Sequence, residues 1–296
     1  MSNPNNSKSN IQAGQEPRAA AAIPYKKSAF SLVMTVLTWA AAVLSVAILV
    51  FLVGFVLIRG VGNITPDLFS LKYTTENASV IPAIVNTLEM TVIALLIAVP
   101  IGICAAIFLV EYTNNTGKVV GIIRITAETL SGIPSIVYGL FGMLFFTIAL
   151  KLGYSMISGA LTLAIMVLPL IMRTSEEALK SVPVSYREAS FGLGAGKLRT
   201  IFKIVLPAAM PGILSGIILA TGRIVGETAA LLYTAGSVAQ YAAPMDSGRT
   251  LAVHMYVLSS EGLYMDKAFA TAVILLVMVL LINAVSSFFA KKITKG

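Results

Sequence analysis

The sequence predicts an all-α membrane protein with six transmembrane helices. Hydrophobic residues make up 57% of the 296-residue chain and charged residues only 11%, whereas ordinary soluble domains carry about 25% charged residues. Polar segments divide the apolar residues into six runs, and about 20 apolar residues suffice to cross a bilayer. A long charged segment, Ser175–Pro207, interrupts this pattern and cannot lie in lipid.

The six predicted spans have the following bounds: Ala29–Ile58, Ile84–Val110, Leu130–Leu150, Ile157–Met172, Met210–Gly236 and Ala268–Phe289. Residues 1–28 are polar and poor in large apolar side chains, which predicts a disordered tail. The first apolar run is longer than the roughly 7–15 residues of a signal-peptide core, so we interpret it as a retained span. Residues 29–296 then form the transmembrane domain.

The distribution of basic residues predicts that both termini are cytoplasmic. Of the 21 Lys and Arg residues, 15 lie in the termini, the second loop and the segment from Arg173 to Pro207, and five lie in the remaining loops. Cytoplasmic segments of membrane proteins are enriched in Lys and Arg. The charged segment is therefore expected in the cytoplasm, and we expect a bacterial or archaeal cytoplasmic membrane.

Composition argues against several kinds of chemistry in this chain. Cys104 and His254 are the only cysteine and histidine, so we expect no disulfide framework and no metal site. The run from Gly194 to Lys197 lacks the G-x-x-x-x-G-K-[ST] spacing of a phosphate-binding loop, because position 191 is Phe and Leu198 follows the lysine. No pairing of a nucleophile with a base is evident. We therefore expect no catalytic residue, no cofactor and no nucleic-acid binding.

The charged segment contains the pattern of a short helix. Ser185 and Glu188 have the S-x-x-E spacing of a capping box, and a glycine cluster at Gly192, Gly194 and Gly196 would end the helix. Pro183 separates it from the preceding turn. From physical chemistry alone, this helix is either a docking element for a soluble partner or an ordinary amphipathic loop.

The same segment resembles the coupling motif of ABC importer membrane subunits. The motif runs E-A-A, three residues, G, nine residues, I-x-L-P, with Ser190 in place of the third small residue. Its residues here are Glu188, Ala189, Ser190, Gly194, Ile204, Leu206 and Pro207. The resemblance implies the type I ABC importer permease fold and a coupling helix that docks on a cytoplasmic ATPase.

Four further stretches are similar to the A-type membrane subunit of phosphate importers, the PstA family. They are Ile171–Pro183, Gly222–Gly236, Ser131–Gly142 and the pair Glu111-Tyr112. The resemblance implies three kinds of partner: a sister permease (PstC-like), two copies of an ATPase (PstB-like) that bind ATP and Mg, and an extracytoplasmic phosphate-binding protein (PstS-like).

Ionisable and polar residues within the spans are the candidates for a substrate path. Arg223 and Glu227 are four residues apart, so on a continuous helix they share one face. They either neutralise each other as a static pair, or Arg223 binds an oxyanion that Glu227 helps to release. Arg173 is either an inner anion contact or an orientation signal. Ser135 and Tyr138 either line a polar path or pack within a segment rich in small residues.

We therefore expect a permease subunit of an ATP-driven phosphate importer. An importer of another oxyanion, sulfate or molybdate, would share this architecture. A self-contained secondary transporter or channel is a further alternative, although no second half of the chain resembles the first. A role in signalling phosphate status can coexist with transport.

Overall fold

The computed structural model describes residues 29–113, 117–262 and 264–295, and within these ranges the regular secondary structure is helical. The predicted disordered tail, residues 1–28, lies outside the described residues. The helices are α1 Ala29–Val61, α2 Ile81–Ile107, α3 Lys118–Ser131, α4 Ser135–Gly142, α5 Met156–Ser181, α6 Val184–Gly192, α7 Lys197–Thr200, α8 Leu206–Val225, α9 Ala229–Leu232, α10 Leu251–Glu261 and α11 Met265–Lys295.

The chain divides into two units, residues 1–52 and 53–296. In the first unit, the described part of α1 exposes apolar side chains all round, including Phe30, Leu44 and Phe51. A helix that is apolar on every face is suited to lipid. The second unit holds the remaining helices and the buried core.

Among the described residues, five helical stretches are long and apolar enough to cross a membrane: Phe30–Val61, Ile81–Tyr112, Met156–Ser181, Lys197–Val225 and Met265–Lys292. A bent pair, Val120–Ser131 and Ser135–Ala149, makes a sixth if it is counted as one span. The all-helical fold with up to six spans agrees with the sequence prediction.

The bent pair corrects the prediction of a third span at Leu130–Leu150. Helix α3 begins at Lys118, before the predicted span, and ends at Ser131; the chain then turns by 101° before α4. Pro134 lacks an amide donor and disfavours helical geometry in the residue before it, which accounts for the break. The Tyr138 hydroxyl donates to the Leu130 carbonyl at 2.8 Å and joins the two arms.

Helix α5 is the most enclosed span. Within the fold, 67% of its apolar window is buried, against 33% for α2 and for the span that contains α8. The prediction ended this span at Met172, but the helix continues to Ser181. It tolerates Glu176 there because Arg124 and Lys180 place their nitrogen atoms 2.7 and 2.6 Å from its carboxylate.

Two glycines on α8 allow its close approach to α5. A Cβ on Gly216 would lie 2.0 Å from Thr174 Oγ1, and one on Gly212 would lie 2.6 Å from Ala178 Cβ. Glycines four residues apart form the G-x-x-x-G pattern that brings membrane helices together. This contact holds α8 against α5 about two turns before Arg223.

The fifth span also differs from its prediction at both ends. It starts at Lys197, inside the charged segment, passes through a π-helical turn at Ile201–Val205 and continues as α8. The wider turn lies just before Pro207, which has no amide proton to donate. The helix ends at Val225, well short of the predicted Gly236.

The segment between α9 and α10 is attached to the start of α2. The Asn86 side chain is fully buried; its amide nitrogen donates to the carbonyls of Gln240 and Arg249, and its oxygen accepts from the Ala242 amide. The Met156 amide, at the start of α5, donates to the Asp246 carbonyl. The segment therefore covers the beginnings of α2 and α5.

Candidate anion path and coupling surface

Arg223 lies in the last turn of α8, next to Gly222. Its side chain is half-buried, and no hydrogen bond or ion pair joins its guanidinium to the described residues. A cation at a helix C-terminus is favoured by the helix dipole, and a guanidinium offers a planar set of donors to an oxyanion. Arg223 therefore keeps its donors without an ion-pair partner among the described residues, in a form whose geometry suits an oxyanion.

Glu227 does not share a helical face with Arg223, and the prediction of a paired arrangement on one helix was wrong. Helix α8 ends before Gly226, a residue with low helix propensity. Glu227 follows the helix, is buried, and accepts a hydrogen bond from the Ala230 amide at 3.1 Å. Its carboxylate thus stabilises the start of α9.

Arg223 lines a groove of about 690 Å³ between α5, α8 and α11. Its lining residues are Leu170, Ser215, Ile218, Leu219, Gly222, Arg223, Val279 and Asn283. The lining carries one positive charge and no carboxylate. Apart from Arg223, the polar side chains are Ser215 and Asn283, a hydroxyl and an amide. The volume falls within the range of about 300–1,000 Å³ that is typical of ligand pockets.

Sequence reasoning missed Ser215 and Asn283 as members of this groove. Asn283 is an isolated amide in the apolar run of the last span, which was the available signal. Arg223 lines the same groove but lies 60 residues before Asn283 in the chain, so no local spacing relates the two residues.

Ser135 and Tyr138 belong to the first turns of α4 and do not line the Arg223 groove. Tyr138 is buried, and its hydroxyl donates to the Leu130 carbonyl, whereas Ser135 is half-buried. Both residues therefore stay candidates for the path without a contact to the Arg223 groove.

Arg173 lies in a different environment, at the charged end of α5. Its side chain is 55% exposed, and its nitrogen atoms lie 3.7 Å from Glu128 and 3.4 Å from Glu177. It lines a separate cavity of about 210 Å³ together with the buried Glu176. Its charge is balanced by carboxylates, in contrast to that of Arg223.

Helix α6 confirms the short helix predicted in the charged segment, with one correction. The helix begins at Val184, after Pro183, and Ser185 makes no capping hydrogen bond. It ends at Gly192, and Gly194 adopts a φ of +80°, a conformation that glycine favours. Pro183 has taken the N-cap position that the capping-box pattern gave to Ser185.

The motif residues divide into an exposed set and a packed set. Glu188, Ala189, Gly194 and Pro207 are exposed, whereas Ile204 and Leu206 are half-buried. Ser190 is buried, and its hydroxyl pairs with that of Thr200 at 2.8 Å. The serine that departs from the family pattern thus joins α6 to α7.

Large apolar side chains on and beside α6 are open to solvent. Their exposed fractions are Val184 63%, Tyr186 51%, Phe191 48%, Leu193 90%, Leu198 62% and Phe202 54%. Val184, Tyr186, Phe191 and Leu193 lie outside the candidate spans, and Leu198 and Phe202 lie at the start of the fifth. An exposed apolar cluster outside the spans is typical of a protein interaction surface.

Arg187 fixes α6 to the ends of two spans, a role that sequence reasoning missed. Its Nε and Nη2 atoms donate to Glu111 Oε1 at 3.0 and 2.7 Å. Its Nη1 and Nη2 atoms also donate to the carbonyls of Val182 and Leu179, both at 3.0 Å. The two charged residues are 76 positions apart, so no local pattern links them.

These features describe a multi-pass membrane protein with a groove lined by one arginine and a short helix outside the candidate spans that exposes apolar side chains. Residues 98–296 match the family "Binding-protein-dependent transport system inner membrane component", and the chain belongs to that family. The resemblance of the motif to ABC importer membrane subunits is thereby confirmed.

Proteins with similar sequences are named as transporter permeases. "Probable ABC transporter permease protein YqgI" of Bacillus subtilis (strain 168) is 35% identical over 278 residues, which are 86% of this chain and 92% of that protein. "Phosphate transport system permease protein PstA 1" of Mycobacterium tuberculosis (strain ATCC 25618 / H37Rv) is 43% identical over 154 residues; the match covers 52% of this chain and 49% of that protein. "Phosphate transport system permease protein PstA 2" of Mycobacterium bovis (strain ATCC BAA-935 / AF2122/97) is 36% identical over 209 residues, 69% of this chain and 68% of that protein.

Solved structures share the fold at low sequence identity. A bacterial ABC transporter involved in the import of the acidic polysaccharide alginate has a TM-score of 0.63 and 16% identity, covering 90% of this chain and 99% of that one. An inward-facing MetNI methionine ABC transporter has a TM-score of 0.56 and 19% identity, covering 81% and 97%.

Proposed function

We propose that this chain is a permease subunit of an ATP-driven importer of inorganic phosphate. The observation that carries the proposal is Arg223, which lines an otherwise uncharged groove and has no ion-pair partner among the described residues. An unpaired charge within a membrane span favours a functional role. The names of the PstA relatives point to phosphate as the anion.

Energy for transport would come from a partner. The sequence contains no complete phosphate-binding loop, so we assign no catalytic residue and no cofactor to this chain. Two copies of a PstB-like ATPase would bind ATP and Mg and would contact the coupling surface around α6. A PstC-like permease would complete the path, and a PstS-like binding protein would deliver phosphate.

The contacts of α6 suggest how motion reaches the groove. Glu188 is exposed for an ATPase, while Arg187 ties the same helix to Glu111 and to the end of α5. Helix α5 packs in turn against α8 at Gly216. Closure of the ATPases would therefore move α6, α5 and α8 together and expose Arg223 to alternate sides of the membrane.

Orientation follows from the charge distribution. We place both termini and α6 in the cytoplasm, because most Lys and Arg residues outside the spans lie in the segments on that side. The membrane is a bacterial or archaeal cytoplasmic membrane. The Asn86-bound segment then faces the binding protein.

The test is uptake of labelled phosphate into proteoliposomes that contain the complete complex, with sulfate and molybdate as competitors. The proposal expects ATP-dependent uptake that excess sulfate does not inhibit. Glu188→Ala should lower uptake and ATP hydrolysis together, because it removes a contact with the ATPase. Glu188 makes no ion pair in the described chain, so the substitution breaks no ion pair within the subunit. The control Glu177→Ala removes an exposed carboxylate of α5 and should change uptake little.

Preferential uptake of sulfate or molybdate would mean that the substrate is another oxyanion and not phosphate, because a guanidinium by itself binds all of these anions. Uptake by this chain without ATP or partners would support a self-contained transporter and contradict the proposal.

A further inference from the structure

Three buried side chains between residues 249 and 254 carry polar atoms that have no hydrogen-bond partner among the described residues. Arg249, Thr250 and His254 are 4%, 3% and 0% exposed. Arg249 Nε and Nη2, Thr250 Oγ1 and His254 Nδ1 find no partner in the described part of the chain. A buried polar atom that is left unpaired costs free energy. Four such atoms in one short segment indicate a polar ligand.

The buried positive charge of Arg249 favours an anionic ligand. An arginine stays protonated even when buried, and no carboxylate of the described residues lies within ion-pair distance of Arg249. Its guanidinium carbon lies 4.7 Å from the centroid of the Tyr73 ring. A cation–π contact offsets part of the desolvation, but it leaves the donors unmet.

His254 supplies an acceptor beside these donors. Its Nε2 atom lies 3.1 Å from the Ala78 carbonyl, which can only accept, so Nε2 carries the proton and Nδ1 presents a lone pair. Helix α10 lies outside the candidate spans. Burial, reinforced by the positive charge of Arg249, lowers the pKa of His254 to about 3, so its ring is neutral at neutral pH.

A guanidinium, a hydroxyl and a neutral imidazole acceptor together suit an oxyanion that carries its own proton. Hydrogen phosphate offers anionic oxygens to the arginine and a hydroxyl to the imidazole, whereas sulfate has no proton to donate at neutral pH. The Tyr73 ring contacts both groups, with 6.2 Å between its centroid and that of His254. We propose that Arg249, Thr250 and His254 form a second oxyanion site, which binds hydrogen phosphate in preference to sulfate.

The proposed site is remote from the coupling surface. The Arg249 carbonyl is bound by Asn86 near the start of α2, and Glu111, just beyond the end of α2, binds α6. Residues 86 to 111 of a helix span roughly 38 Å. The site is therefore at the end of the bundle opposite α6, where phosphate would enter. The preference for a protonated oxyanion follows from the site itself, while its assignment to inorganic phosphate rests on the proposed function.

The experiment measures binding of labelled phosphate to the full chain in lipid nanodiscs by equilibrium dialysis, in an Arg223→Gln background that removes the groove arginine. We expect one phosphate per chain and competition by sulfate at least tenfold weaker. Arg249→Gln should weaken binding by about tenfold or more, the effect of losing a charge-assisted contact. The control Lys72→Gln removes the same charge from an exposed neighbour of Tyr73 and should leave affinity unchanged.

A second variant pair keeps the test decisive if Arg249→Gln does not fold. His254→Leu removes the acceptor and should reduce the preference for phosphate over sulfate, while His254→Gln, which retains a donor and an acceptor, should restore it. Equal binding by the Arg249 variant and its background would overturn the proposal. The proposal would also be overturned if the background chain bound no phosphate and Arg249→Gln lost assembly with the sister subunit. Arg249 would then pair with a carboxylate of that partner. Neither result depends on transport, so failure of the proposed function is recorded separately by the uptake assay.

Discussion

Replacing Glu111 by glutamine tests whether α6 is fixed to the spans through Arg187. The carboxylate accepts two hydrogen bonds from Arg187, and the two side chains are only 9% and 15% exposed. Removing one partner of a buried pair costs about 3–5 kcal/mol. The carbonyls of Val182 and Leu179 still accept from Arg187, so we expect a loss nearer about 2 kcal/mol, or about 30-fold in the docking equilibrium of α6.

The assay is hydrogen exchange of the backbone amides of residues 184–192, with the ratio of phosphate uptake to ATP hydrolysis measured alongside. Exchange should accelerate by about 30-fold where local opening limits it, and uptake per ATP should fall. Glu128→Gln is the matched control, because the Arg173–Glu128 pair is 3.7 Å long with side chains 55% and 71% exposed, and such pairs contribute less than about 1 kcal/mol. Wild-type exchange in Glu111→Gln would refute the anchoring role of Arg187.

Two further predictions concern the stability of the fold. Gly216→Ala should lower the melting temperature, since a Cβ there would meet Thr174 at 2.0 Å, whereas Gly121→Ala in α3, with no atom within 4 Å, should leave it unchanged; equal melting of the two variants would contradict the proposed helix contact. His254 should make the fold sensitive to acid. The unfolded chain binds this proton near pH 6.5 and the folded chain only near pH 3, so stability falls by up to about 1.4 kcal/mol per pH unit as the pH drops between those values. Circular dichroism melting at pH 7 and pH 5 should show this loss, reduced in His254→Gln, and an unchanged difference would contradict it.

The short-range features of the fold could be predicted from the sequence. The break before α6 is set by Pro183, and its end is set by Gly192 and Gly194, residues whose conformational preferences act within a few positions. The apolar runs likewise follow from composition. In contrast, the bend at Pro134 was missed because the apolar pattern continues across it.

The features that depend on contacts between distant residues could not be predicted. Helix α5 continues past Met172 to Ser181 because Arg124, 52 residues before Glu176 in the chain, balances the charge of Glu176. The groove brings Asn283 to Arg223, and Glu227 is separated from Arg223 because it caps α9 instead of extending α8. The isolated intramembrane arginine could be recognised as a candidate, but its surroundings could not.

The most direct test of the account is ATP-dependent phosphate uptake by the reconstituted complex with Arg223→Gln, compared with Arg173→Gln. Both substitutions remove one guanidinium, but only Arg223 lines the groove without a carboxylate partner, while Arg173 is balanced by Glu128 and Glu177. We predict that Arg223→Gln abolishes uptake while the complex still assembles and hydrolyses ATP, and that Arg173→Gln retains most of it. Normal uptake by Arg223→Gln would contradict the assignment of this arginine to the anion path.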